Sequence, residues 1–405
     1  MKKTLMIVTT GRADYGLLYP LIRKISSSKS FELKLIATGT HLSSYHGESI
    51  KLIEEDKNVE ITERIEMTTE GDTEDSICYS IARGLEGFSQ LLKKTSPDLI
   101  IVLGDRYELL SVGVAAVIHK IPIAHIHGGE LSAGQIDDSI RHSITKMSAF
   151  HFASMDIYAR RIIQMGESPD RVHVVGALGV DNIISMPLLT LEELSNLVDL
   201  DFNQRVALFT FHPVTLDSYD SAGEQVQEVL NALLESDLLV LMTMPNSDTA
   251  NRLIYKEMEK FCEKYPKEFK LVKNLGQRAY LSAMKYSDIM VGNSSSGIIE
   301  AASFKLPVVN IGDRQEGRFK SSNIIDCVCS KIAIKKALDK VLSEEFIKSV
   351  INLKSPYGDG NASSRIIDIL ESIDFNNKSQ YLKKGFYDLK YDLSLENINI
   401  NKTLD

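Results

Sequence analysis

The chain has 405 residues, is 43% hydrophobic and 25% charged, and carries a net charge of −9. That length supports two or three domains with ample core. The acidic balance and the lack of a long basic run argue against nucleic acid or an anionic membrane surface as partner, and leave room for a phosphorylated ligand held by a few placed arginines. No apolar run reaches membrane-spanning length. The opening "MKKTLMIVTTG" reads as a first β-strand, because its apolar part is short and ends at Gly11. Cys78, Cys262, Cys327 and Cys329 have neither zinc-like nor C-x-x-C spacing, and read as reduced core thiols of a cytoplasmic protein.

Along the chain, short apolar runs alternate with stretches of helical length. The first half gives "TLMIVTTG", "LKLIATG", "DLIIVLGD", "IPIAHIHGG", "FHFAS" and "VHVVGALG". Continuous Val/Ile/Leu runs are strands buried on both faces, as in a parallel sheet. The pattern restarts with "RVALFTFHP", "LLVLMTMPN", "FKLVKNLG", "DIMVGNSSSG" and "LPVVNIGD". The fold class expected is α/β, with two doubly wound Rossmann-like domains facing across a cleft at the carboxyl ends of their strands. The boundaries expected are 1–185, 186–372 and a polar tail, 373–405, that wraps the surface or is partly disordered.

Motif-like residues fall at strand ends. "TTGRADYG" follows the first strand but matches neither the P-loop nor G-x-G-x-x-G. Arg12 at a helix start can still clamp a phosphate. "LGDRYE" ends a buried strand on the charged pair Asp105 and Arg106, costly there unless paired or used. "HIHGGELSAGQIDDSIRHSITKMS" gathers His127, Glu130, Asp137, Asp138 and Arg141. Asp137 or Asp138 caps a helix, and Arg141 lies a turn further on. The histidines lack H-x-x-x-H and H-E-x-x-H spacing, so no metal is expected. "FTFHPVT" puts His212 at a strand end. "GNSSSGIIE" places Ser294, Ser295 and Ser296 at a helix start, suited to a diphosphate, with Glu300 able to accept from ribose hydroxyls.

Taken in order over roughly residues 1–365, "GRADYG", "LGDRYE", "HIHGGE", "DDSIRHSITKMS", "FHPVT", "VGNSSSGIIEA" and "NIGDRQEGR" resemble the UDP-N-acetylglucosamine 2-epimerase family, in its hydrolysing branch. The resemblance implies a GT-B-like fold, no cofactor, a UDP-sugar substrate and a homodimer or tetramer. It puts the nucleotide-phosphate arginine on Arg12, catalytic groups on Asp105, Asp137 and Arg141, and the histidine near the diphosphate on His212. It puts nucleotide contacts around Asn246, Ser295, Ser296, Glu300 and Arg314. His127 stands where many members carry a catalytic Glu, so His127 or Glu130 takes that role.

The implied reaction cleaves the anomeric C–O bond, removes H-2 to give a 2-acetamidoglycal and UDP, and adds water to the glycal. It needs an acid or cation for the diphosphate, a base for H-2 and an acid/base pair for hydration. The substrate expected is UDP-N-acetylglucosamine, giving N-acetylmannosamine, with a UDP-2,4-diacetamido-2,4,6-trideoxyhexose as the alternative. A GT-B glycosyltransferase would have no need of the acid cluster. Crowded carboxylates are expected to raise one another's pKa.

Overall fold

The apolar runs form parallel strands because consecutive runs are joined by helices long enough to cross over a sheet. In the computed structural model, which describes residues 2–43, 49–69, 73–132, 136–213, 221–244, 251–273 and 275–389, they build two sheets. The first holds β1 (Lys3–Thr9), β2 (Phe31–Thr38), β3 (Ile61–Ile65), β4 (Leu99–Leu103), β5 (Ile123–Ile126), β6 (Phe150–Ala153) and β7 (Val172–Val174). The second holds β8 (Val206–Thr210), β9 (Leu239–Thr243), β10 (Phe269–Val272), β11 (Ile289–Gly292), β12 (Val308–Ile311) and β13 (Ile324–Cys327).

The first sheet runs β3-β2-β1-β4-β5-β6-β7 and the second β10-β9-β8-β11-β12-β13. Every pairing is parallel. Each sheet winds outward in both directions from its first strand, so each has a crevice at the carboxyl ends where the order reverses, beside β1/β4 and β8/β11. Central strands such as β4 and β8 are buried along their whole length.

Loops and helices near these carboxyl ends touch across the two units. Arg318, which follows β12, donates to Leu131 O at 2.9 Å after β5, and Gln277 donates to Gly16 O at 3.1 Å. Tyr158 and Tyr357 share a 3.1 Å hydroxyl contact, and Phe319 N–H donates to Tyr158 Oη at 2.9 Å. The helix Ala362–Ser372, grouped by the sequence reading with the second unit, instead buries Ile366 and Leu370 in the first unit's core with Leu18, Leu21 and Phe31. The following segment stays on the first unit. Phe375 joins the same core, Arg171 donates to Tyr381 O, and Lys384 reaches Glu167 at 2.8 Å. Cys78 is exposed, contrary to its expected place in the core.

Candidate active site

Two polar clusters form at these strand ends. The first lies beyond β4 and β5. A helix there, Ile136–Met147, puts Ile140 and Ile144 into the core, and the same periodicity turns Arg141 inward, where it is 2% exposed. Arg141 donates through Nη1 to His127 O at 2.9 Å and through Nη2 to Ser132 Oγ at 3.1 Å and to Asp105 Oδ2. It also lies 3.8 Å from Glu130 Oε2. Burial works against the guanidinium charge, but Asp105, Glu130, Asp137 and Asp138 outweigh it and raise the arginine pKa further.

The turn between β5 and this helix is built for close packing. His127 has φ +63, a left-handed conformation rare outside glycine, and Gly129 at φ +75 would push a Cβ to 2.4 Å from Tyr158 O. Tight backbone here turns Glu130 inward to 1% exposure, where Oε1 accepts from Ser154 Oγ at 2.7 Å and Oε2 lies 3.5 Å from Arg318 Nη1. His127 Nδ1 sits 3.4 Å from Glu130 Oε1. The expectation that crowded acids raise one another's pKa fails at Glu130. Burial does push it up, but His127, Arg318, Arg141 and the Ser154 hydrogen bond together bring it below the usual carboxylate value. Asp138 accepts from Ser132 N–H at 2.9 Å, so it pins the incoming loop, while Asp137 stays partly exposed on the first turn. His125 is spent on the fold: its ring nitrogens meet Gly104 O and Thr145 Oγ1, and burial lowers its pKa to about 3.

Asp105 and Arg106 do not pair with one another. Asp105 turns to Arg141, and Arg106 Nε lies 3.4 Å from the fully buried Glu108. Arg12 opens the helix Arg12–Ser27 and is exposed. Behind it the buried Asp14 accepts from Thr10 N–H at 2.7 Å, Gly11 N–H at 2.8 Å and Tyr15 N–H at 2.8 Å. The turn thus brings its own anion, and a phosphate there would rely on Arg12.

The second cluster lies beyond β8, β11 and β12. Gly292 has φ +134, and a Cβ on it would fall 1.9 Å from Thr210 O, so only glycine lets β11 turn here. Asn293 then exchanges two hydrogen bonds with His212, at 2.7 and 2.8 Å, and its carbonyl accepts from Arg314 at 3.2 Å and Gln315 at 2.9 Å. Burial and then the Arg314 charge hold His212 well below its usual pKa, so its imidazole is neutral at pH 7. Ser294 caps the helix Ser295–Ile299 by accepting from Ser296 N–H at 3.4 Å. Glu300 follows it, and burial raises its pKa against the hydrogen bond from Ser296. Asn246 lies outside the described residues. Sequence reasoning missed Asp14, Gln315 and Arg318. Asp14 was legible as an acid three residues beyond a helix-opening Gly, while Arg318 and Gln315 had only their place in "GDRQEGR". Among the described residues, no group of three or more His, Cys, Asp or Glu side chains could hold a metal ion.

The chain matches the UDP-N-acetylglucosamine 2-epimerase family over residues 23–371. A GDP/UDP-N,N'-diacetylbacillosamine 2-epimerase (hydrolyzing) of Campylobacter jejuni is 39% identical to it over 85% of this chain and 89% of that one. The chain belongs to the UDP-N-acetylglucosamine 2-epimerase family. Two other relatives of this epimerase-family chain are 35% identical: the polysialic acid biosynthesis protein P7 of Escherichia coli, over 96% of this chain and 98% of that one, and a UDP-N,N'-diacetylbacillosamine 2-epimerase (hydrolyzing) of Legionella pneumophila, over 95% and 99%. Its fold matches that of the Neisseria meningitidis UDP-GlcNAc 2-epimerase bound to UDP-GlcNAc with a TM-score of 0.77, at 17% identity, over 92% of this chain and 100% of that one.

Proposed function

We propose that the protein is a hydrolysing UDP-sugar 2-epimerase, which converts a UDP-2-acetamido sugar and water into UDP and the 2-epimer of the free sugar. The observation that carries this reading is the buried cluster in which Arg141 ties Asp105, Glu130 and His127 together at the crevice end of the first sheet. A fixed cation among carboxylates and a neutral imidazole suits an oxocarbenium-like sugar that must lose a proton and then take up water. UDP lies against the second cluster, with Arg314 and the Ser295–Ser296 turn at the diphosphate, His212 donating as a neutral imidazole, Glu300 at the ribose and Arg12 closing from the first unit. Asp137 serves the hydration step. No step calls for a cofactor.

Two sugars fit the reading. The relatives at 39% and 35% identity named for diacetylbacillosamine favour a UDP-2,4-diacetamido-2,4,6-trideoxyhexose over UDP-N-acetylglucosamine. NMR of the products in D₂O tests both. The sugar released from the true substrate should carry deuterium at C2 and appear with an equal amount of UDP. Full retention of the original hydrogen overturns the elimination, and an intact 2-epimeric UDP-sugar as the only early product overturns the hydrolytic assignment.

We also propose that the protein is cytoplasmic and self-associates, as a homodimer or as a tetramer built from it. Helices Glu74–Thr95 and Glu108–Ile118 leave Val114, Val117 and Ile118 exposed beside a groove lined by Ala82 and Leu85. The first helix starts with Glu74 and Asp75 and ends with Lys93 and Lys94, so an antiparallel second copy would set acids against lysines. Light scattering should show a dimer that Ile118→Asp converts to a monomer; a wild-type monomer overturns it.

A further inference from the structure

Glu130 is placed as a junction rather than as a lone acid. One oxygen is shared between Ser154 and the Nδ1 side of His127; the other faces Arg318 and Arg141, at 3.5 and 3.8 Å. With guanidinium groups on one side, the carboxylate stays ionised, and its charge draws the imidazole proton to Nδ1. That leaves the lone pair on Nε2. His127 is 5% exposed, and its Nε2 has no hydrogen-bond partner among the described residues. The left-handed backbone at φ +63 and the bond from Arg141 to His127 O fix the ring's origin. Arg318 arrives from the second unit, and it is anchored there by bonds to Leu131 O at 2.9 Å and Ser132 Oγ at 3.3 Å.

We infer that His127 Nε2 is the base that removes H-2, that Glu130 is the positioning residue that sets its tautomer, and that Arg318 completes the arrangement only when the second unit docks on the first. This rests on the 2-epimerase reading. In the step, the C2–H bond breaks as or after the C1–O bond to UDP breaks. Its electron pair becomes the C1–C2 double bond, and the proton passes to Nε2 to give an imidazolium facing Glu130. The charged and titratable groups around the ring are Glu130, Asp105, Arg141, Arg318 and His125. Burial comes first among the influences on the ring and lowers its pKa; Glu130, next, raises it, but Arg141 and Arg318 side with burial, so the base is neutral at pH 7.

The signs of these charges make the inference testable. The acid limb of the kcat profile should follow deprotonation of His127. Glu130→Gln removes a charge that favours the imidazolium, so the limb should move to lower pH while kcat falls ~10²-fold or more. Arg318→Gln removes a charge that opposes it, so the limb should move to higher pH, and Arg318→Lys should leave it near the wild-type position. His127→Gln should cut kcat by ~10²–10⁴ and abolish the limb, with UDP affinity kept. Limbs that do not move in Glu130→Gln and Arg318→Gln overturn the inference, even where the melting temperature falls. So does a Glu130→Gln variant that loses the limb beside an active His127→Gln, which would make Glu130 the base. A second readout needs no turnover: ¹⁵N spectra of histidine-labelled full-length protein, assigned with His127→Gln, should show His127 protonated on Nδ1 at pH 7. An Nε2-protonated ring overturns the inference. A Nδ1-protonated ring in a protein that turns over no UDP-sugar overturns the 2-epimerase reading instead.

Discussion

Replacing Arg141 by Met keeps the apolar stem and volume and removes the charge, so it isolates what the guanidinium contributes to the fold. Four groups lose a partner, of which Ser132 Oγ loses least, since Arg318 still donates to it at 3.3 Å. His127 O is left in a 2–5% exposed environment without its 2.9 Å donor, and a buried orphan acceptor costs about 1–3 kcal/mol. Glu130 keeps Arg318 and Ser154, so its loss is partial. Asp105 loses its guanidinium, but its side chain is 20% exposed and water recovers part of the deficit. Together these give about 3–5 kcal/mol, the usual cost of breaking a buried ion pair from one side. Urea unfolding followed by circular dichroism should show this loss at unchanged slope. Asp105→Asn added to Arg141→Met should cost less than the sum of the two single changes, with a coupling of about 1 kcal/mol or more. A single-mutant loss under about 1 kcal/mol, or strict additivity, would refute the view that Arg141 compensates buried carboxylates.

Other outcomes follow from features at a distance from this cluster. Gly292→Ala should cost at least about 3 kcal/mol or prevent folding, because its Cβ would sit 1.9 Å from Thr210 O; a melting temperature within a few degrees of wild type would contradict that geometry. Glu167 is held at about 2, down from 4.5: burial would raise it, but His151, Lys146 and Lys384 hydrogen-bond its charged form. A lowered carboxyl pKa stabilises above the unfolded value, so the advantage over Glu167→Gln should be full above pH 4.5 and fade as pH falls towards 2, as urea midpoints across that window would show. Arg12→Ala should weaken UDP binding by about 2 kcal/mol and Ser295→Ala by less, measured by titration calorimetry; unchanged affinity in both would remove the phosphate site from these two turns.

Much of the fold was legible because strands buried on both faces read as unbroken apolar runs, as in "LIIVL" of β4 and "VALFT" of β8. The first cluster was legible because its members are close in sequence and stand at one strand-to-helix junction, from His127 to Arg141. Partner choice was less so. Asp105 and Arg106 are adjacent in sequence, yet successive residues leaving a strand point apart, and each found its partner elsewhere. Arg318 could not be placed at all, since it meets Ser132 only through the docking of two units that periodicity describes separately. The helix Ala362–Ser372 was misgrouped for a related reason. Its apolar stripe shows that it must be buried, but not against which sheet.

That last helix has a consequence for how the protein is made. Ile366, Leu370 and Phe375 complete a core whose first members along the sequence, Leu5 and Ile7, are made about 360 residues earlier. The whole second sheet is translated in the interval. The first unit therefore waits with part of its apolar surface uncovered until residues 362–375 have been made, and the second can close before it. The nascent chain is at risk over that interval, when an exposed groove sized for one amphipathic helix is open to chaperones or to the wrong segment.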